Sequence, residues 1–140
     1  MTLERAIEIA VSAHKGQRDK SGQPYILHVM QVVLYGKTEE EKIVGALHDV
    51  VEDTDWTFDL LKKEGFSNRI LDALKCVTKI RASENYDDFT ARVKGNSLAV
   101  KVKLNDLRSN MDITRLNTVS EKDVERFNRY LKAYNELIAI

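Results

Sequence analysis

One histidine and three carboxylates fall within six consecutive positions, His48-Asp49-Val50-Val51-Glu52-Asp53, at the end of an otherwise apolar segment. Imidazole nitrogen and carboxylate oxygen together suit a cation such as Mn, Fe, Zn or Co. Glu52 and Asp53 follow His48 and Asp49 by four residues, so on a helix they stand over the same face one turn further on. From there a carboxylate could take a proton from water attacking a phosphoester, or return one to the leaving oxygen. Acids in a last helical turn oppose the macrodipole, and three close together repel one another unless a proton or cation intervenes. An isolated Glu-Asp pair would read as a solvated helix end, and it is the adjoining His-Asp that favours chemistry.

Two further residues fit the same donor set. His28 lies in an apolar run, where a histidine by itself reads as a core residue satisfied by a carbonyl. Asp106 lies between Leu104 and Leu107, so it should face a partly buried surface and need a partner. His28, His48, Asp49 and Asp106 would give one divalent cation two nitrogens and two oxygens from three helices, leaving positions for water. Asn110, one turn after Asp106, offers an amide to a substrate hydroxyl or phosphate oxygen. Arg18 and Lys20 in one polar loop, with Lys79 and Arg81 after the fifth expected helix, are the basic candidates for an anionic ligand. Each also reads as an ordinary solvated loop residue. His14, at the end of the first helix, can simply meet terminal carbonyls.

The elements that must position these groups read as helices. The chain has one proline and six glycines, and the spacing predicts an all-α fold of about eight helices. They are expected near residues 2–15, 25–34, 38–51, 58–64, 67–78, 84–94, 98–111 and 120–139. Thr38 with Glu41, and Ser120 with Asp123, form capping-box patterns, while Thr57 and Ser67 are N-cap candidates. Gly16 stands where a left-handed cap closes the first helix. In this scheme the 38–51 helix is continuous and carries the His-Asp pair into its last turn, and residues 112–120 form a linker.

The chain has 140 residues, with Lys plus Arg and Asp plus Glu both at 22. That size suits a single domain over residues 1–140, and the charge balance offers no case for a nucleic-acid or membrane partner. The lone Cys76 forms no internal disulfide and reads as a small buried thiol. No signal peptide or apolar run long enough to span a bilayer stands out, so a soluble cytoplasmic protein is expected. Tyr130, Tyr134 and Ile138 on the last helix suit either the core or a homo-oligomer contact.

With these residues assembled, the chain resembles an HD-domain phosphohydrolase, most closely the hydrolase domain of RelA/SpoT enzymes and their small stand-alone relatives. The resemblance rests on Ala13-His14-Lys15-Gly16-Gln17-Arg18, Pro24-Tyr25-Ile26-Leu27-His28, Leu47-His48-Asp49-Val50-Val51-Glu52-Asp53-Thr54 and Val102-Lys103-Leu104-Asn105-Asp106, in the family's order and spacing. It implies an HD-type helical bundle with one divalent cation, usually manganese, on His28, His48, Asp49 and Asp106, and with Glu52 and Asp53 as the catalytic pair. The activity implied is removal of the 3′-pyrophosphate from (p)ppGpp, with Arg18 and its loop meeting the nucleotide and Asn110 near the ribose or phosphates. Val29 stands where the family usually has proline, and the segment 78–86 is shorter than the basic segment of established alarmone hydrolases. Two alternatives stay open: a nucleoside monophosphate phosphatase built on the same kind of site, and a nucleotide-sensing module without turnover.

Overall fold

The computed structural model describes residues 2–79 and 83–140. Among them are nine α-helices: α1 (Leu3–Ala13), α2 (Ile26–Tyr35), α3 (Glu39–Leu47), α4 (Val50–Asp53), α5 (Phe58–Glu64), α6 (Asn68–Val77), α7 (Tyr86–Lys94), α8 (Ser97–Asn110) and α9 (Glu121–Ile138). No strand occurs among the described residues, so the fold is all-α. A short 3-10 turn, Ile113–Arg115, interrupts the linker expected before α9. Arg81 lies outside the described residues.

Helix boundaries follow the local chemistry. The side chains of Thr38, Thr57, Ser67 and Ser120 each accept a backbone N–H in the first turn of their helices, and Thr38–Glu41 and Ser120–Asp123 close reciprocal capping boxes. Gly16 takes a positive φ of 85° after α1, a conformation that costs glycine nothing.

The main departure from expectation lies in the third helix, which is two helices rather than one. Backbone pairing stops after Leu47 and resumes at Val50, with His48 and Asp49 between α3 and α4. His48 Nδ1 donates to the Gly45 carbonyl at 2.6 Å. A side chain thus takes an acceptor near the helix end, a local competition that hydrophobic spacing does not register. This accounts for nine helices where eight were expected.

The helices enclose one apolar core in which Val29 and Val32 of α2, Val44 and Leu47 of α3, Leu61 of α5, Leu74 of α6 and Leu107 of α8 are essentially inaccessible. Each such side chain contributes about 1.5–3 kcal/mol relative to exposure. α2 and α3 approach closely at Gly45, where a Cβ would lie 3.2 Å from Val32 Cγ1. Tyr130 and Tyr134 pack against the core, whereas Ile138 is 54% exposed. Cys76 is partly buried, and burial pushes its thiol pKa up. Among the described residues no helix is long and apolar enough to cross a membrane.

Candidate functional site

The break between α3 and α4 turns His48 and Asp49 towards the middle of α2 and α8. His28 Nε2 lies 2.9 Å from Asp106 Oδ1, and His48 Nε2 lies 2.9 Å from Asp49 Oδ2 and 3.3 Å from Asp106 Oδ1. The donor atoms of His28, His48 and Asp49 fall within 4.8 Å of one another. The four side chains expected as ligands therefore converge. Both histidines are 2–3% exposed, and Asp106 is 6% exposed, so water contributes little to satisfying them.

The hydrogen bonds on the far side of each ring decide what the near side presents. His48 Nδ1 is committed to Gly45 O. His28 Nδ1 donates to Ser109 Oγ at 2.9 Å, because the Ser109 hydroxyl itself donates to Gln31 Oε1 at 2.5 Å. With each Nδ1 engaged, both rings turn Nε2 towards carboxylate oxygens, an arrangement that repels unless a cation or proton sits between them. His48 Nε2 is buried without a hydrogen bond despite its two close carboxylates, which lie off the line that a ring N–H would need. Buried, convergent N and O donors with their outer atoms already satisfied are suited to a divalent cation.

The surroundings keep both acids ionised. Burial would raise the pKa of Asp106, but the charge of Lys103 and then that of His48 hold it well below the usual carboxylate range. Lys103 Nζ lies 3.0 Å from Asp106 Oδ2, and Asn110 Nδ2 donates to Asp106 Oδ1 at 3.1 Å. Burial acts against the Lys103 charge, and Asp106 outweighs it, so the ammonium persists. Burial likewise works against Asp49, where His48 and the hydroxyl of Tyr25, which donates to its carboxylate, reverse the effect. Although burial opposes charge on His48, Asp49 and Asp106 raise its pKa well above the ordinary value.

Glu52 and Asp53 occupy the end of α4. Glu52 Oε1 accepts the backbone N–H of Lys79 at 2.9 Å. Asp53 has its pKa pushed up to about 6 by burial, then by Asp49 and Glu52. Carboxyl atoms of Asp49, Glu52 and Asp53 also fall within 4.8 Å of one another.

Beside this cluster lies a cavity of 320 Å³ whose lining includes Arg18, Lys20, Asn110, Arg115, Arg126 and Tyr130. Tyr25 joins the two features, since it lines the cavity while its hydroxyl donates to Asp49. Arg18, Lys20 and Asn110 line the cavity, although Asn110 also gives its amide to Asp106 and Arg18 donates to Gly22 O at 2.8 Å. Lys79 does not line it and meets the site through its backbone. Sequence reasoning missed Tyr25 and Lys103, both inside the quoted motifs, and Arg115 and Arg126, which carry no local signal. Arg115 is brought in by an ion pair with Asp19 at 3.2 Å.

No family model matches the chain. The chain is 33% identical over 120 residues to guanosine-3′,5′-bis(diphosphate) 3′-pyrophosphohydrolase of Aquifex aeolicus, covering 78% of this chain and 17% of that protein. It is 36% identical over 118 residues to the protein of the same name from Haemophilus influenzae, covering 74% and 17%. A GTP pyrophosphokinase of Streptomyces coelicolor is 29% identical over 146 residues, covering 96% and 17%. The chain thus spans about a sixth of the length of these curated relatives. A solved structure of a metazoan ortholog of SpoT that hydrolyzes ppGpp superposes with a TM-score of 0.81 at 23% identity, covering 96% of this chain and 84% of that one. In sequence over three quarters of its length, and in fold over nearly all of it, the chain resembles the hydrolase domain of RelA/SpoT-type enzymes.

Proposed function

We propose that the chain is a metal-dependent phosphohydrolase that removes the 3′-pyrophosphate from guanosine 3′,5′-bis(diphosphate), giving GDP and pyrophosphate. The observation that carries this proposal is the convergence of two imidazole Nε2 atoms and two ionised carboxylates beside a cavity lined by Arg18, Lys20, Arg115 and Arg126. His28, His48, Asp49 and Asp106 would hold one divalent cation, Mn2+ in this proposal, supplying Lewis acidity towards a phosphoryl oxygen and acidifying water at neutral pH. Asp53, whose carboxyl is pushed up to about 6 by burial and the neighbouring acids, takes the proton from the attacking water. Asp53 can return that same proton to the 3′ oxygen as its bond to phosphorus breaks, while Glu52, fixed by the Lys79 amide, supplies the neighbouring charge that favours the protonated form of Asp53. Arg18, Lys20, Arg115 and Arg126 offset the charge of the diphosphate groups.

The names of the relatives divide between hydrolase and pyrophosphokinase, and the matches to both cover 17% of those proteins. The neighbour of similar size, covered over 84% of its length, is the one described as hydrolysing ppGpp, which supports the hydrolase side. In this proposal residues 1–140 act as one domain, in the cytoplasm, with a small-molecule nucleotide as partner.

The two alternatives separate by product. Incubation with ppGpp and with GMP, each with Mn2+, should release pyrophosphate from the first and no orthophosphate from the second. Orthophosphate from GMP alone would make the chain a nucleoside monophosphate phosphatase, and tight ppGpp binding without either product would make it a sensing module.

A further inference from the structure

The motif at the end of α1 supplies two residues, His14 and Gln17, that the proposed chemistry does not use. Gln17 Nε2 donates to the main-chain oxygen of Asp53 at 3.3 Å, and His14 Nδ1 donates to Gln17 Oε1 at 2.9 Å. A main-chain carbonyl only accepts, so Gln17 must present its NH2 end to Asp53 and its oxygen to His14. That requirement in turn selects the Nδ1–H tautomer of His14. The His14 ring is 2% exposed, 5.2 Å from the Tyr25 ring, and its Nε2 is buried without a hydrogen-bond partner. A buried imidazole that leaves one nitrogen unsatisfied, yet spends the other on orienting an amide, points to a role for that orientation.

The backbone of Gln17 is equally engaged. Its N–H donates to His14 O at 3.0 Å, and its carbonyl accepts the N–H of Tyr25 at 2.9 Å. One residue therefore joins the end of α1, the start of α2 and the end of α4. α4 has only four residues, too few to hold its own end by helical cooperativity.

We infer that Gln17, oriented by His14, is a positioning residue that holds the main chain at Asp53 and so fixes where the Asp53 carboxyl stands relative to Asp49. The kinetic consequence rests on the phosphohydrolase proposal above, whereas the structural consequence does not.

Amide hydrogen exchange in the metal-free chain tests the structural claim. Gln17→Ala, and the nearly isosteric Gln17→Glu, which cannot donate to the Asp53 carbonyl, should each speed exchange at residues 50–54 by about tenfold while α2 and α8 keep their protection. Unchanged exchange at 50–54 in Gln17→Glu overturns the inference. With Mn2+ and ppGpp, both variants should lose about tenfold in kcat with KM and Mn2+ affinity retained. The same change placed in Asp53→Asn should cost nothing further, since both act on one group. Full additivity in that cycle, or a loss confined to KM, contradicts the inference. If the wild-type chain leaves ppGpp intact, the substrate proposal fails, and the exchange result still decides the role of Gln17.

Discussion

Glu52 and Asp53 are neighbours in the chain but are held differently: Glu52 accepts the backbone N–H of Lys79 at 2.9 Å, whereas Asp53 keeps a partly exposed carboxyl pushed up to about 6. Burial and the nearby charges of Asp49 and Glu52 make ionised Asp53 unfavourable. A group suited to exchanging protons near neutral pH is therefore also a liability to the metal-free fold.

The sign of that liability is testable. The folded-state value of about 6 lies above the ordinary 3.8, so the favourable contribution of protonated Asp53 is complete below pH 3.8 and is lost as pH rises through about 6. Asp53→Asn should make the metal-free chain more stable than wild type near neutral pH, by about 1 kcal/mol once solvent screening of a partly exposed group is allowed for. The difference should vanish in acid. Urea unfolding at several pH values measures it, and a variant less stable than wild type at neutral pH would contradict the assignment.

Ser109 supports the cluster without belonging to it. Its hydroxyl accepts His28 Nδ1–H while donating to Gln31, so Ser109→Ala leaves that ring nitrogen without its acceptor. Calorimetric titration with Mn2+ should show affinity reduced about 10- to 100-fold, with helicity by circular dichroism unchanged. Undiminished affinity would mean that His28 is not held in the tautomer described.

Much of this arrangement could be read before the structure, where the determinants are local. Thr38, Thr57, Ser67 and Ser120 cap their helices because the bonds they make lie within one turn. His28, His48, Asp49 and Asp106 come together from positions quoted in the motifs. The helix break at His48-Asp49 was hidden because apolar spacing runs through it unchanged, and only the His48 side chain bonding to Gly45 O reveals it. The sequence offers Lys79 as an ammonium, but what it gives the site is a backbone N–H, which no residue type encodes. Arg115 and Arg126 reach the cavity only once the chain after α8 folds back towards the 18–24 loop, where Arg115 pairs with Asp19.

Arg92 links stability to the same region. Its guanidinium donates to the carbonyls of Lys75, Cys76 and Thr78 at the end of α6 and to Glu84, just before the Lys79 amide that anchors Glu52. Arg92→Ala should lower the unfolding free energy by about 2 kcal/mol, because several carbonyl acceptors lose one charged donor. Denaturant titration of the metal-free chain checks this, and an effect near zero would show that water replaces the guanidinium at no cost.

Lys20 lines the cavity from an exposed position. If it meets the charge of a bound nucleotide, Lys20→Ala should raise KM for ppGpp by about tenfold and leave kcat nearly unchanged, the signature of lost uniform binding. Steady-state kinetics at low and high salt separate the cases, and a loss in kcat at constant KM would move Lys20 into the chemistry.

The most direct test is pyrophosphate release from ppGpp by chelator-stripped protein, before and after Mn2+ is restored, beside Asp53→Asn treated identically. Release of GDP and pyrophosphate in equal amounts only when Mn2+ is present, reduced about 100-fold or more in the variant, is the predicted result. Release that persists in the stripped protein, or equal rates in wild type and Asp53→Asn, would contradict the proposed chemistry.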